Sequence, residues 1–127
     1  MIVVDTDVLI AHLRGVPAAR AWMLATRAQH RLIVSVVTVT EITGGMRSVE
    51  RADVGRMLAA LDPAPVTELV ARRAGDLMRE HRRSHAGIGI ADYLIAATAE
   101  THGAQLATLN VKHFPMFPRL KRPFTLS

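Results

Sequence analysis

The apolar positions fall into short β-branched runs that alternate with longer stretches where apolar residues recur every three or four positions. Ile2-Val3-Val4 is the first run and stops at Asp5; Val8 to Leu13 then has helical spacing, and Gly15 ends it. Pro17 suits the first position of a second helix, whose expected inner face is Ala18, Ala21, Trp22, Ala25 and Ala28. From Leu32 to Val39 the density of β-branched residues predicts a buried strand, with Thr38 or Thr40 capping the helix that carries Glu41. Val54, Met57, Leu58 and Leu61 predict a helix from Val49 to Leu61. The pairs Asp62-Pro63 and Ala64-Pro65 close it, because a residue before proline avoids the αR region, and Val66 is a candidate short strand. Thr67 caps a long helix with Val70, Ala74, Leu77 and Met78 inward, fraying at His81-Arg82-Arg83. Ile90 to Glu100 is apolar almost all round and belongs at the centre of the fold. Gly103 ends that helix, Gln105 to Thr108 reads as a last core strand, and Asn110 follows in a loop.

Strands alternating with helices predict an α/β fold with a mainly parallel sheet covered on both faces, in which ligands gather at the carboxyl ends of the strands. A chain of 127 residues, 50% hydrophobic, is expected to form one domain spanning residues 1–127. It has no apolar run near the roughly 20 residues of a membrane span and no basic, cleavable leader, so the expected location is the cytoplasm, away from any membrane. With no cysteine, a metal would have to be held by oxygen or imidazole. The formal charge of +5 favours polyanionic partners, and an aromatic content of 4% is too sparse for base stacking, so a bound RNA would be gripped by its phosphates.

Asp5, Glu41 and Asp92 each lie where a strand ends or a helix begins, beside segments that must be buried, and are expected to converge. Grouping three carboxylates in a partly dry cleft costs several kcal/mol per uncompensated ion, roughly, unless a cation neutralises them. Oxygen donors suit Mg2+ or Mn2+, which retain waters. Such a site can activate a water for in-line attack on a phosphodiester, with Glu41 positioning or deprotonating it. Asp92, near a helix N-terminus, is favoured as the ionised form by the helix dipole. Each acid also has a plainer reading: Asp5 as a helix cap, Glu41 as a solvated helix residue, Asp92 as a dipole partner. Asn110 reads first as a turn residue whose amide oxygen can complete the acidic ring, and Asp7 as a helix-start residue rather than a ligand.

With these residues placed, the chain resembles the PIN-domain ribonucleases, and more closely the VapC-like toxins of prokaryotic toxin–antitoxin pairs. The resemblance runs end to end through VVDTDVLI, SVVTVTEI, GIGIADYLIAATAETHG and LATLNVKHF. It implies a PIN-like three-layer α/β/α sandwich and a metal site at Asp5, Glu41 and Asp92, with Asn110 at the fourth family position and Thr108 two residues before it. It further implies Mg2+- or Mn2+-dependent endonucleolysis of RNA, a homodimer, and inhibition by a small VapB-like antitoxin that occludes the cleft. Because position 110 is not a carboxylate, one-metal and two-metal catalysis both stay open. The antitoxin of this family docks between early helices, where Trp22, Met23 and Leu24 are candidate contacts, although a Trp on an alanine-rich face is more often core.

Several signals carry less. His81 and His85 have the i, i+4 spacing of two ligands on one helix face, but Arg79, Arg82 and Arg83 disfavour a cation there, and a basic patch touching RNA phosphates is the better reading. Gly87-Ile88-Gly89 lacks the third glycine of a dinucleotide loop, and Gly44-Gly45 marks a helix end or close backbone approach. Asp5-Thr6-Asp7-Val8 also resembles the opening of haloacid-dehalogenase-like phosphatases, with Asp5 as nucleophile. That family needs a downstream lysine and a late acidic pair, whereas this chain has Lys112 and Lys121 and no paired acids after Asp92. A catalytically silent PIN-like binding module is the remaining alternative.

Overall fold

The computed structural model describes residues 1–126. Strand β1 (Ile2–Val4) leads into helix α1 (Thr6–Leu13), then α2 (Pro17–Arg27), β2 (Leu32–Ser35), α3 (Val36–Gly45), a 3-10 turn (Ser48–Glu50) and α4 (Arg51–Ala59). Next come β3 (Asp62–Ala64), α5 (Glu68–His81), α6 (Ile90–Thr101), β4 (Gln105–Ala107) and a second 3-10 turn (Val111–His113). The four strands form one sheet in the order β3-β2-β1-β4, every pair parallel. Because side chains alternate across a strand, β1 sends Ile2 and Val4 to one face and Val3 to the other. Val3, Ile33 and Leu106 pack under α5 and α6 through Val70, Ala74, Leu77, Tyr93 and Ile95. On the opposite face Ile2, Val4, Leu32 and Val34 meet Val8, Leu9, Met23, Ile42, Val54 and Met57 from α1 to α4. The result is the expected three-layer α/β/α sandwich. Among the described residues no helix is long and apolar enough to cross a membrane.

Three local expectations are corrected. The strand expected from Leu32 to Val39 ends at Ser35, and its β-branched second half is helix α3. Ser35 caps that helix, its Oγ accepting from Val37 N at 3.1 Å, so neither Thr38 nor Thr40 does. The sheet has no partner for a longer β2, because β1 stops at Val4, and burial of Thr38 and Ile42 one helical turn apart overrides β propensity. On α2 the buried residues are Ala19 and Met23, while Ala21, Ala25 and Ala28 face solvent. Alanine on a helix reports propensity as much as burial, and the larger Met23 sets the inner face. Finally, the Asp62-Pro63 segment does more than close α4: it is itself an edge strand, paired Ile33 with Asp62, Val34 with Pro63 and Ser35 with Ala64, while Val66 lies outside any strand. An edge tolerates proline because one side of it needs no N–H donor.

Two helix ends follow the sequence. Thr67 Oγ1 accepts from Val70 N at 3.2 Å to cap α5. After α6, Gly103 takes φ +61, a left-handed conformation that stops the helix and turns the chain into β4.

Candidate metal centre

The carboxyl ends of β1 and β4, the two neighbouring strands nearest the centre of the chemistry, meet directly: Asp5 N donates to Ala107 O at 2.9 Å. Asp5 occupies the N-cap of α1 with its Oδ1 accepting from Thr6 N at 2.8 Å, while Oδ2 accepts from the buried Thr108 hydroxyl at 2.7 Å. The side chain is nearly enclosed, at 6% exposure. Burial, followed by the neighbouring charge of Asp7, raises its pKa from 3.8 to about 7; the Thr108 and Thr6 donors work against this, and the charge of Asp92 adds to it. Asp5, Asp7 and Asp92 therefore share one electrostatic field.

Asp7, taken from sequence as a helix-start residue, is drawn into the same place. Its Oδ2 accepts from Leu109 N at 3.1 Å and lies 3.4 Å from the Thr108 hydroxyl, while its Oδ1 is buried without a hydrogen-bond partner. Burial is the main reason its pKa is raised.

Glu41 reaches the cluster from α3. Thr6 Oγ1 donates to Glu41 Oε1 at 2.7 Å, and the Thr38 hydroxyl lies 3.1 Å from the same Thr6 oxygen. One residue, Thr6, thus ties Asp5 through its backbone N–H and Glu41 through its hydroxyl. Glu41 itself faces solvent. Asp92 stands at the third position of α6, with Oδ2 accepting from Gly89 N at 3.3 Å and 3.0 Å from His113 Nδ1. Asn110 follows β4 with its N–H donating to Thr108 Oγ1 at 3.0 Å, and lines an open groove of about 450 Å³ beside Asp7 and Leu109.

The structure therefore brings Asp5, Asp7 and Asp92 into one field, links Glu41 through Thr6, and sets Asn110 at the rim. It does not close them onto a point: among the described residues no three Asp, Glu or His side chains stand close enough together to hold an ion. Like charge separates them, and protein donors compete for both oxygens of Asp5 and one of Asp92. Chemically the set nonetheless fits a hard divalent cation, with carboxylate oxygens throughout, a carboxyl driven up by burial and repulsion, and an orphaned buried oxygen on Asp7.

Sequence reasoning singled out neither Thr6 nor His113, whereas Asp7, read as a helix-start residue near the site, lies in the first turn of α1 beside Asp5. The doublet of acids two apart on either side of Thr6 was a usable signal for Asp7. His113 gave none, since it meets Asp92 across 21 residues of chain.

The chain matches the PIN domain over residues 2–119. It is 60% identical over 126 residues to Ribonuclease VapC10 of Mycobacterium tuberculosis, covering 99% of this chain and 95% of the relative. It is 43% identical to Ribonuclease VapC19 of the same organism, covering 98% of this chain and all of the relative. Among solved structures, a chain of a toxin–antitoxin complex from Klebsiella pneumoniae superposes with a TM-score of 0.81 at 25% identity, covering 98% of each chain. Similarity along nearly the whole chain to two VapC ribonucleases, a PIN-domain match over residues 2–119 and the parallel-sheet fold with Asp5 buried at the carboxyl end of β1 agree, and the chain belongs to the PIN-domain family, among its VapC ribonucleases.

Proposed function

We propose that this protein is a metal-dependent endoribonuclease, the toxin of a VapBC-type toxin–antitoxin pair, with Asp5, Glu41 and Asp92 as the Mg2+ or Mn2+ site and Asn110 at its edge. The observation that carries the reading is Asp5: a carboxyl buried at the end of the central strand, its pKa raised to about 7 with Asp7 and Asp92 both contributing. A divalent cation beside such a carboxylate would offset the cost of burying its charge among like charges.

Asp5 and Asp92 would hold the cation, with Glu41 completing the site or working through a coordinated water. When bound, the cation supplies Lewis-acid polarisation of the scissile phosphate and lowers the pKa of a nearby water. Glu41, steadied by the Thr6 hydroxyl at 2.7 Å and open to solvent, would accept the proton of the attacking water. The water oxygen bonds to phosphorus, one P–O bond breaks, and the leaving oxygen is protonated from solvent. Asn110 offers an amide to the substrate or to a water at the rim. The exposed arginines 82 and 83, in the loop that leads to Asp92, bind flanking phosphates.

The partner is a VapB-like antitoxin that covers this cleft, and the active species is a homodimer. Exposed apolar side chains at Leu24, Val49, Leu69 and Ile90 supply surface for these contacts. Against the phosphatase alternative stand the PIN-domain match over residues 2–119 and the lack of paired acids after Asp92.

The test is cleavage of total RNA by the antitoxin-free protein with Mg2+, with Mn2+ and with EDTA, beside Asp5→Asn and Asp92→Asn. Cutting that requires the metal and is lost in both variants supports the reading. Equal cutting by wild type and both variants refutes it, and folded wild-type protein that cuts no RNA under any metal leaves the silent binding module.

A further inference from the structure

One short segment touches each aspartate of the cluster. Thr108 donates to Asp5, Leu109 N donates to Asp7, and His113 meets Asp92, all within six residues of chain after β4. That segment is itself anchored: Asn110 N bonds Thr108 Oγ1, His113 N bonds Asn110 O at 3.1 Å, and the next residue, Phe114, is sunk into the core at 1% exposure. His113 is thus carried on a backbone that packing fixes from one side and hydrogen bonds from the other.

The contact it makes is selective between the two oxygens of Asp92. Oδ2 receives both His113 Nδ1, at 3.0 Å, and Gly89 N, at 3.3 Å, while Oδ1 accepts no hydrogen bond among the described residues. Two donors on one oxygen fix the carboxylate's rotation about its Cβ–Cγ bond and leave the other oxygen as the presented one. We propose that His113 is a positioning residue for Asp92, holding Oδ2 so that Oδ1 is offered to the divalent cation. This rests on the metal-dependent reading above. Only a hydrogen on Nδ1 is needed, which the neutral imidazole supplies in its Nδ1–H tautomer, so the role does not depend on the ring being charged. Carboxylate ligands held by such outer partners lose about 10- to 100-fold in metal affinity or activity when the partner is removed.

The experiment measures Mn2+ affinity by electron paramagnetic resonance, together with kcat and KM for an RNA substrate, in wild type, His113→Ala, His113→Leu and His113→Asn. Leu preserves shape without a donor, and Asn places an amide N–H near the position of Nδ1. The expected result is a weakening of Mn2+ binding by about tenfold or more in the Ala and Leu variants, a parallel fall in kcat and a nearly unchanged RNA KM. Asn should recover most of both losses, and should either donor-less variant fail to fold, the other and Asn against wild type still decide. Ala and Leu variants that bind Mn2+ as tightly as wild type overturn the proposal while leaving the metal-dependent reading intact. A change confined to KM, or a loss of thermal stability with unchanged Mn2+ affinity, overturns it equally, assigning His113 to RNA contact or to packing. Folded wild type that neither binds Mn2+ nor cuts RNA removes the underlying reading, and this proposal with it.

Discussion

Replacing Asp5 with Asn should make the metal-free protein more stable at neutral and alkaline pH, and the size of the gain follows from its surroundings. A shift from 3.8 to about 7 is roughly three pKa units, or about 4 kcal/mol at about 1.4 kcal/mol per unit. The folded pKa is raised above the unfolded one, so the favourable state is the protonated one. Stability is fully present below about pH 4, declines as pH rises through the folded pKa, and the loss is complete above it. The Asn variant escapes that decline. Its amide oxygen can still accept from Thr6 N, and the Thr108 hydroxyl released from Asp5 has Asp7 Oδ2 at 3.4 Å as an alternative acceptor. Allowing about 1 kcal/mol for the poorer hydrogen bonding leaves a net gain of about 3 kcal/mol above the folded pKa. The assay is urea unfolding of both proteins in EDTA at a series of pH values, reading the difference between them so that groups remote from position 5 cancel and what remains is Asp5 together with its coupling to Asp7. The expected difference is small or reversed near pH 4 and approaches about 3 kcal/mol by about pH 8. Adding Mg2+ should then stabilise wild type and not the variant. A difference that stays flat across this range, or a variant less stable throughout, would refute the burial and repulsion assigned to Asp5.

Three further outcomes are expected. Glu41→Gln should lower kcat by about 10²-fold or more with a smaller loss of Mn2+ affinity, as removal of a proton acceptor does; an equal loss of metal binding would make Glu41 a direct ligand. Changing Arg82 and Arg83 together to Gln should weaken RNA binding and reduce the slope of log affinity against log salt by about 1.4, two phosphates at about 0.7 each for a single strand, and an unchanged slope would move the RNA path elsewhere. Thr67→Ala removes the α5 cap and should cost about 1 kcal/mol in urea unfolding without altering RNA cleavage; altered cleavage would tie α5 to the site.

The sandwich was legible because its elements rest on short-range patterns with physical causes. Ile2-Val3-Val4 halting at Asp5 marks a buried strand end, the stripe Val70, Ala74, Leu77 repeats at helical spacing, and the apolar circumference of Ile90 to Glu100 places α6 centrally. What escaped was set at longer range. Whether Val36 to Val39 continues a strand depends on whether the sheet has a neighbour there, and β1 ends too soon to supply one. The 62–64 strand was hidden by its proline, which reads as a breaker until the sheet order puts it on an edge. On α2 the alanines outvoted Met23 in the pattern while contributing little area to bury. At the site, Thr6 and Thr108 act through hydroxyls aimed by the fold, and His113 joins Asp92 only because β4 runs beside β1 and delivers the following turn to the N-terminus of α6. No local spacing encodes those meetings.

Crystals of the antitoxin-free protein soaked in Mn2+ and measured at an energy where manganese scatters anomalously would address the shared ion itself. The expected result is a peak at the carboxyl end of β1, within bonding distance of Asp5 and Asp92 and with Glu41 bound directly or through one water, absent from Asp5→Asn crystals treated alike. A peak that persists unchanged in Asp5→Asn, or manganese bound only away from these side chains at saturating concentration, would contradict it.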